Sequence, residues 1–214
     1  VIFFHLSLAQ SFLYGKNIPK RNRRKNIMPV ITLLTDFGLK DNFAGVMKGV
    51  IAGIAPTANI IDLCHEIPAQ DTRAAAFCLV TAYAYFPKGT IHVVVIDPGV
   101  GSERQPLLVK TEDYYFIGPD NGVLSLALDE LKVVDIIRLD NAAFHLPRVS
   151  NTFHGRDIFS AVAAHIAKGT PHTTCGTRIK QYKKITLPKP HITPAAIHAE
   201  IIYIDRFGNL ITNA

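Results

Sequence analysis

Ile91-His92-Val93-Val94-Val95-Ile96-Asp97-Pro98-Gly99-Val100-Gly101 decides the fold class. Five aliphatic residues in six make a run with the length and composition of a strand buried on both faces. An aspartate, a proline and two glycines then end it at once. Open α/β sheets present their ligand-binding groups at such carboxyl ends of strands. The same arrangement stands at residues 30–38, where Val30 to Leu34 runs into Thr35-Asp36-Phe37-Gly38. A third polar, glycine-bearing run, Thr152-Phe153-His154-Gly155-Arg156-Asp157, stands just before a helical pattern.

Outward from these runs, strand and helix signals alternate. Residues 42–54 place Phe43, Val46, Met47, Val50 and Ile54 at helical spacing, with Pro56 beyond the end. Residues 59–63 read as a strand. Residues 71–86 read as an alanine-rich helix opened by Asp71 and stopped by Pro87-Lys88-Gly89. Residues 107–110 and 114–117 form a hairpin pair around Glu112-Asp113. A short helix at 122–131, a strand at 133–138 and a helix at 157–167, closed by Lys168-Gly169, complete the pattern. Alternation of this kind predicts an α/β class: a layered domain over residues 28–180 with a central, mostly parallel sheet and helices on its faces. Residues 181–194, rich in Lys, Pro and Thr, read as a linker. Residues 196–205 read as a strand opening a second, β domain over 195–214. Twenty residues are too few for a core of their own, so this domain is expected to be incomplete.

Composition is that of a globular protein, 48% hydrophobic and 19% charged. The net charge of +6 is confined to one end. Residues 1–27 carry Lys16, Lys20, Arg21, Arg23, Arg24 and Lys25 and no acid, so the remainder balances 17 basic against 17 acidic side chains. A formally neutral body offers no basic face for a phosphate backbone, and nucleic acid is not an expected partner. In residues 1–27 the apolar run precedes the basic cluster, the reverse of a secretory signal, and it is too short to span a bilayer. We read this segment as a leader or a non-native upstream extension, with Met28 as the natural start, and expect no membrane association. Cys64, Cys78 and Cys175 are odd in number and lack CxxC spacing, which fits a reducing cytoplasm better than a disulfide framework.

Each motif has a bland reading beside the chemical one. Asp36 is either a turn residue capping the following helix or a carboxylate that accepts hydrogen bonds from a ribose diol, as the acidic residue of dinucleotide folds does. Asp97 leaves the most apolar strand and would be costly to bury alone. Arg104, seven residues on, is its natural partner, whether as a brace for the turn or as part of a site. His154, among polar residues and glycine ahead of a helix, suits a group that handles a water molecule. No HxH, HxxxH or HExxH spacing occurs among the nine histidines, so metal is not expected. Protein kinases share Asp-Phe-Gly, but their catalytic loop precedes it and a Gly-rich loop precedes both, which excludes that class here. Pro119-Asp120-Asn121-Gly122 reads first as a turn capping a helix. Asp205-Arg206-Phe207-Gly208-Asn209 is another strand-end polar turn.

Taken together and in this order, TDFG at 35–38, DPGVG at 97–101, PDNG at 119–122, TFHGRD at 152–157 and DRFGN with TN at 205–213 resemble the S-adenosyl-L-methionine hydroxide adenosyltransferases, or SAM hydrolases. These are relatives of the bacterial fluorinase and chlorinase. The resemblance implies hydrolysis of S-adenosyl-L-methionine to adenosine and L-methionine by in-line attack of an activated water on the ribose 5′ carbon, with no cofactor. It maps a catalytic Asp–Arg–His triad onto Asp97, Arg104 and His154. It assigns Asp36 to the ribose hydroxyls, Phe153 to the neighbourhood of the adenosine, and Asp205, Phe207 and Asn209 to the methionine and adenosine ends. In the mechanism expected, His154 and Arg104 hydrogen-bond the water while Asp97 orients Arg104. The family fold adds a C-terminal β-barrel, and its members are typically homotrimers with the ligand between subunits. A halide-dependent adenosyltransferase and a non-catalytic adenosine-binding protein are the alternative functions.

Overall fold

A computed structural model describes residues 28–214; the segment read above as a leader lies outside the described residues. The described chain forms two compact units, Met28–Ile185 and Thr186–Ala214. In the first, β1 (Val30–Thr35), β2 (Asn59–Cys64), β3 (Ile91–Val95), β4 (Pro106–Thr111), β5 (Tyr115–Pro119), β6 (Val133–Arg138) and β7 (Thr177–Ile179) make one sheet in the order β2-β1-β3-β5-β4-β6-β7. β1 pairs in parallel with β2 and β3, and β3 with β5. The remaining neighbours are antiparallel, so every strand except β4 and β7 points the same way. The carboxyl ends of β1 and β3, adjacent in the sheet, therefore lie on one edge.

Residues on a strand alternate between faces, and both faces here are covered. Ile31, Leu33, Ile91, Val93 and Val95 pack with Met47 and Ile51 of α1 (Phe43–Ile54) and with Val162 and Ala163 of α4 (Ala161–Ala167). The other helices, α2 (Thr72–Ala82) and α3 (Ser125–Asp129), pack on each other, and Tyr83, just after α2, meets the Phe116 ring of β5 at 5.9 Å. Full burial of each large aliphatic side chain is worth about 1.5–3 kcal/mol, which is why β1 and β3 are near-continuous apolar runs.

Several expectations shift at their edges. The buried stripe of α1 is Ala44, Met47 and Ile51, while Phe43 is 41% exposed. The helix expected over 71–86 starts where predicted, with Asp71 Oδ1 accepting from Ala74 N at 2.9 Å, but turns 3-10 at Tyr83–Tyr85. Ahead of α4, Gly155–Ser160 is a π-helical turn rather than α-helix. Residues 183 and 185 are held on the first unit, Lys183 N donating to Asp120 Oδ1 and Ile185 N to Ser125 Oγ.

In the second unit, β8 (His191–Ile192) and β9 (Ile197–His198) form one antiparallel hairpin, and β10 (Ile201–Ile204) and β11 (Leu210–Thr212) another. The single strand expected over 196–205 is thus two. Between them, Glu200 N donates to Asn213 Oδ1 at 2.8 Å. Among the described residues no helix is long and apolar enough to cross a membrane.

Candidate active site

The loop after β3 folds back on itself in two tight turns. Val100 N donates to Asp97 O, then Ser102 N and Oγ both donate to Gly99 O. This reversal brings Arg104 to Asp97. Arg104 Nε donates to Asp97 Oδ1 at 2.8 Å and Nη2 to Asp97 Oδ2, a bidentate fork whose two side chains are only 5% and 6% exposed. The same Nη2 donates to His154 Nδ1 at 2.7 Å. The guanidinium carbon lies 5.4 Å from the ring centroid of fully buried Phe159. Arg104 Nη1 is buried and meets no acceptor among the described residues.

Arginine only donates, so His154 Nδ1 must accept, and the neutral imidazole carries its proton on Nε2. Burial, followed by the positive charge of Arg104, holds the His154 pKa below its ordinary value, against weaker upward pulls from Asp97, Asp157 and the Ser150 backbone. His154 is therefore neutral near pH 7.

The loop bearing His154 is pinned by Asp157, which is fully buried. Its Oδ2 accepts from Ser150 N and Oγ, each at 2.8 Å, and Arg156 pairs with it. Burial pushes that carboxyl up, but the bonds from Arg156 and Ser150 outweigh it and hold it below the usual range. The two loops also touch directly at Gly101. Its φ is +76°, and a Cβ there would lie 2.2 Å from Asn151 O. Gly101→Ala is expected to cost about 2 kcal/mol or more, lowering Tm by roughly 4–8 °C. An unchanged melting temperature would remove the claim that this contact sets the loop spacing.

At the end of β1, Gly38 adopts φ +66° and its N–H donates to His65 O at 2.7 Å, closing the TDFG turn. Asp36 Oδ2 accepts from Gln70 N at 2.8 Å. The following Phe37 stacks edge-on against Phe153, 5.6 Å between centroids, and Phe43 meets both rings at 5.6 and 5.4 Å. Phe153 thereby joins the turn carrying Asp36 to the residue before His154. The structure brings Asp97 and His154 each into contact with Arg104, and Asp36 and Phe153 onto the same edge of the sheet. Residues Asp205, Phe207 and Asn209 lie in the second unit. Asp205 holds its own hairpin turn there, accepting from Phe207 N, Asn209 N and Asn209 Nδ2, while Phe207 is 89% exposed.

Asp120 and Asn121 have structural partners. Asn121 Nδ2 donates to Ile96 O at 2.8 Å and braces the end of β3. Sequence reasoning missed Phe37 and Phe43 as parts of this region, along with His65 and Gln70. The signal for the aromatic pair was a helix-start phenylalanine six residues after another, on the turn that carries Asp36.

The fold is thus an α/β sheet with an Asp97–Arg104–His154 cluster and Asp36 at the carboxyl ends of neighbouring strands. Residues 31–176 match the SAM hydroxide adenosyltransferase N-terminal domain, and the chain belongs to that family. It is 39% identical over 185 residues to an (R)-S-adenosyl-L-methionine hydrolase of Salinispora arenicola, covering 85% of this chain and 70% of that one. A hydrolase of the same name from Methanocaldococcus jannaschii is 39% identical, covering 89% and 68%. The fold is similar to the crystal structure of an uncharacterized conserved protein from Thermotoga maritima, with a TM-score of 0.82 and 41% identity over 86% of this chain and 70% of that one.

Proposed function

We propose that the protein hydrolyses S-adenosyl-L-methionine to adenosine and L-methionine. The observation that carries the reading is the Arg104 guanidinium, gripped by Asp97 on one side and His154 on another, with Nη1 buried and left without a protein acceptor. A cationic donor in a shielded site favours an anionic oxygen. Arg104 would therefore hold the attacking water and promote its hydroxide form, while Asp97 and His154 orient Arg104. His154, with Nδ1 engaged, acts through its position and its neutral charge. Water oxygen bonds to the ribose 5′ carbon, the C–S electron pair stays on sulfur, and one proton is released to solvent. The sulfonium leaves as a neutral thioether, so no general acid is needed on that side. Asp36 would hold the ribose hydroxyls, with the Phe37–Phe153 pair beside the nucleoside.

The relatives support hydroxide over halide: hydrolases are 36–39% identical to this chain, whereas a fluorinase of an Actinoplanes strain is 23% identical. Homotrimeric assembly, with the ligand between subunits and Asp205, Phe207 and Asn209 at its methionine and adenosine ends, belongs to the same reading. It is supported by the 89% exposure of Phe207, an aromatic surface for a partner subunit or ligand. A cytoplasmic location is supported by three cysteines without disulfide spacing. The test is incubation with S-adenosyl-L-methionine in halide-free, heavy-oxygen water. Adenosine and methionine are expected in equal amounts, with the label in the adenosine 5′-hydroxyl. A 5′-halonucleoside formed only on adding chloride or fluoride, or ligand retained unreacted, would overturn the hydrolase reading.

A further inference from the structure

We infer that the loop between β2 and α2 positions Asp36, with Gln70 as the residue that orients its carboxylate through the backbone. This rests on the reading of Asp36 as the group that holds the ribose hydroxyls. Gln70 has φ 65°, and it is the sole non-glycine residue with positive φ among the described residues. Such a backbone is unfavourable for a residue with a Cβ and persists only where its surroundings over-determine it. The Gln70 side chain is exposed, so side-chain packing does not account for it. Gln70 is the third residue of the turn that Asp71 N closes on Pro68 O, a position that takes positive φ in type II turns, and with the chain reversed there its N–H lies 2.8 Å from Asp36 Oδ2.

The loop is tied down on both sides of that contact. Beyond it, Asp71 N donates to Pro68 O and the Asp71 side chain caps α2. Before it, His65 is buried and grips the turn carrying Asp36 twice: its carbonyl accepts from Gly38 N at 2.7 Å, and its Nδ1 lies 2.8 Å from Thr35 Oγ1. His65 Nε2, 3.0 Å from Asp62 Oδ1, faces a carboxylate that Lys48 also holds. A carboxylate has about four lone-pair sites. Fixing one on a backbone N–H sets its plane and leaves capacity for two adjacent hydroxyls. Gln70 is thus a positioning residue whose side chain is dispensable and whose left-handed backbone is not.

The test is a graded series, Gln70→Gly, Gln70→Asn, Gln70→Ala and Gln70→Val, with Asp36→Ala alongside. For each, Kd is measured for adenosine and 2′-deoxyadenosine, and KM and kcat for S-adenosyl-L-methionine. Glycine and asparagine tolerate positive φ, alanine less so, and a β-branched residue least. The preference for adenosine over its deoxy analogue is expected to be retained in the Gly and Asn variants. It should weaken in Ala and fall about tenfold in Val. KM should rise in step, and kcat should change less than about threefold. A general loss of folding would weaken binding of adenosine and 2′-deoxyadenosine alike and would not single out the diol. Full discrimination in Gln70→Val, with discrimination lost in Asp36→Ala, would overturn the inference and leave the role of Asp36 standing. Equal losses in Gly and Val would assign the effect to the side chain and also overturn it. Discrimination retained in Asp36→Ala would overturn the ribose reading, and the inference with it.

Discussion

Arg104→Ala is expected to lower kcat by about 10²- to 10⁴-fold while leaving adenosine affinity within about threefold. The side chain makes three contacts at once: a two-point fork to Asp97, a bond to His154 Nδ1, and a cation–π contact over the buried Phe159 ring. Truncation also strands Asp97, whose side chain is 6% exposed, as an unpaired buried charge. Breaking such a pair costs about 3–5 kcal/mol, so lost activity could be mistaken for lost folding. The double variant Asp97→Ala/Arg104→Ala separates the two, because it removes the stranded charge along with its partner. It should recover much of the stability measured by urea denaturation and none of the turnover. Residual activity in Arg104→Ala carries a second signature. Arg104 is one of the causes that hold the His154 pKa down, so its removal raises that pKa and moves the acid limb of the pH–rate profile to higher pH. Arg104→Lys keeps the charge but loses the planar fork, and should fall with Ala. Wild-type turnover in Arg104→Ala, or activity restored in the double variant, would show that the cluster is only a brace.

What the sequence disclosed follows from how local each feature is. β1 and β6 coincide with their apolar runs, and the 107–117 hairpin and the Asp71 cap carry their own signals within a few residues. Asp97, Arg104 and His154 stood out because polar groups among glycines at a strand end have few structural uses. Long-range causes were invisible. The edge strand β7 is three residues long with two exposed, so no alternation marks it. The π-helical turn before α4 contains Asp157, buried and bonded to Ser150 N, a contact no helical pattern announces. Phe43 fits the helical stripe by spacing, yet the Phe37 and Phe153 rings draw it to the neighbouring loops. His65 and Gln70 follow β2 without any motif, and their roles exist only once β1 and β2 are paired.

A second large effect lies far from the site. His92 is the second residue of β3, fully buried, with Nδ1 2.8 Å from Thr32 Oγ1 and its ring stacked on Phe116 at 5.1 Å. Phe86 and Tyr114 pack around it, and Nε2 meets no protein partner among the described residues. Burial pushes its pKa down from 6.5 to about 3. An unfolded chain would protonate this histidine near pH 6.5, whereas the folded one resists until about pH 3. Over that window the unfolded state binds more protons, so stability falls as pH drops and is fully present only above it. Each pH unit within the window is worth about 1.4 kcal/mol. The urea-unfolding free energy should therefore fall by about 2 kcal/mol between pH 7 and pH 5 from this group alone. Thr32→Val/His92→Phe replaces both partners by apolar groups and leaves neither hydroxyl nor ring nitrogen unpaired. Whatever its stability at pH 7, its decline toward pH 5 should be shallower than that of the wild type by the same amount. Parallel declines in the two proteins would mean that His92 protonates as readily folded as unfolded, and that the acid sensitivity of the fold originates in other groups.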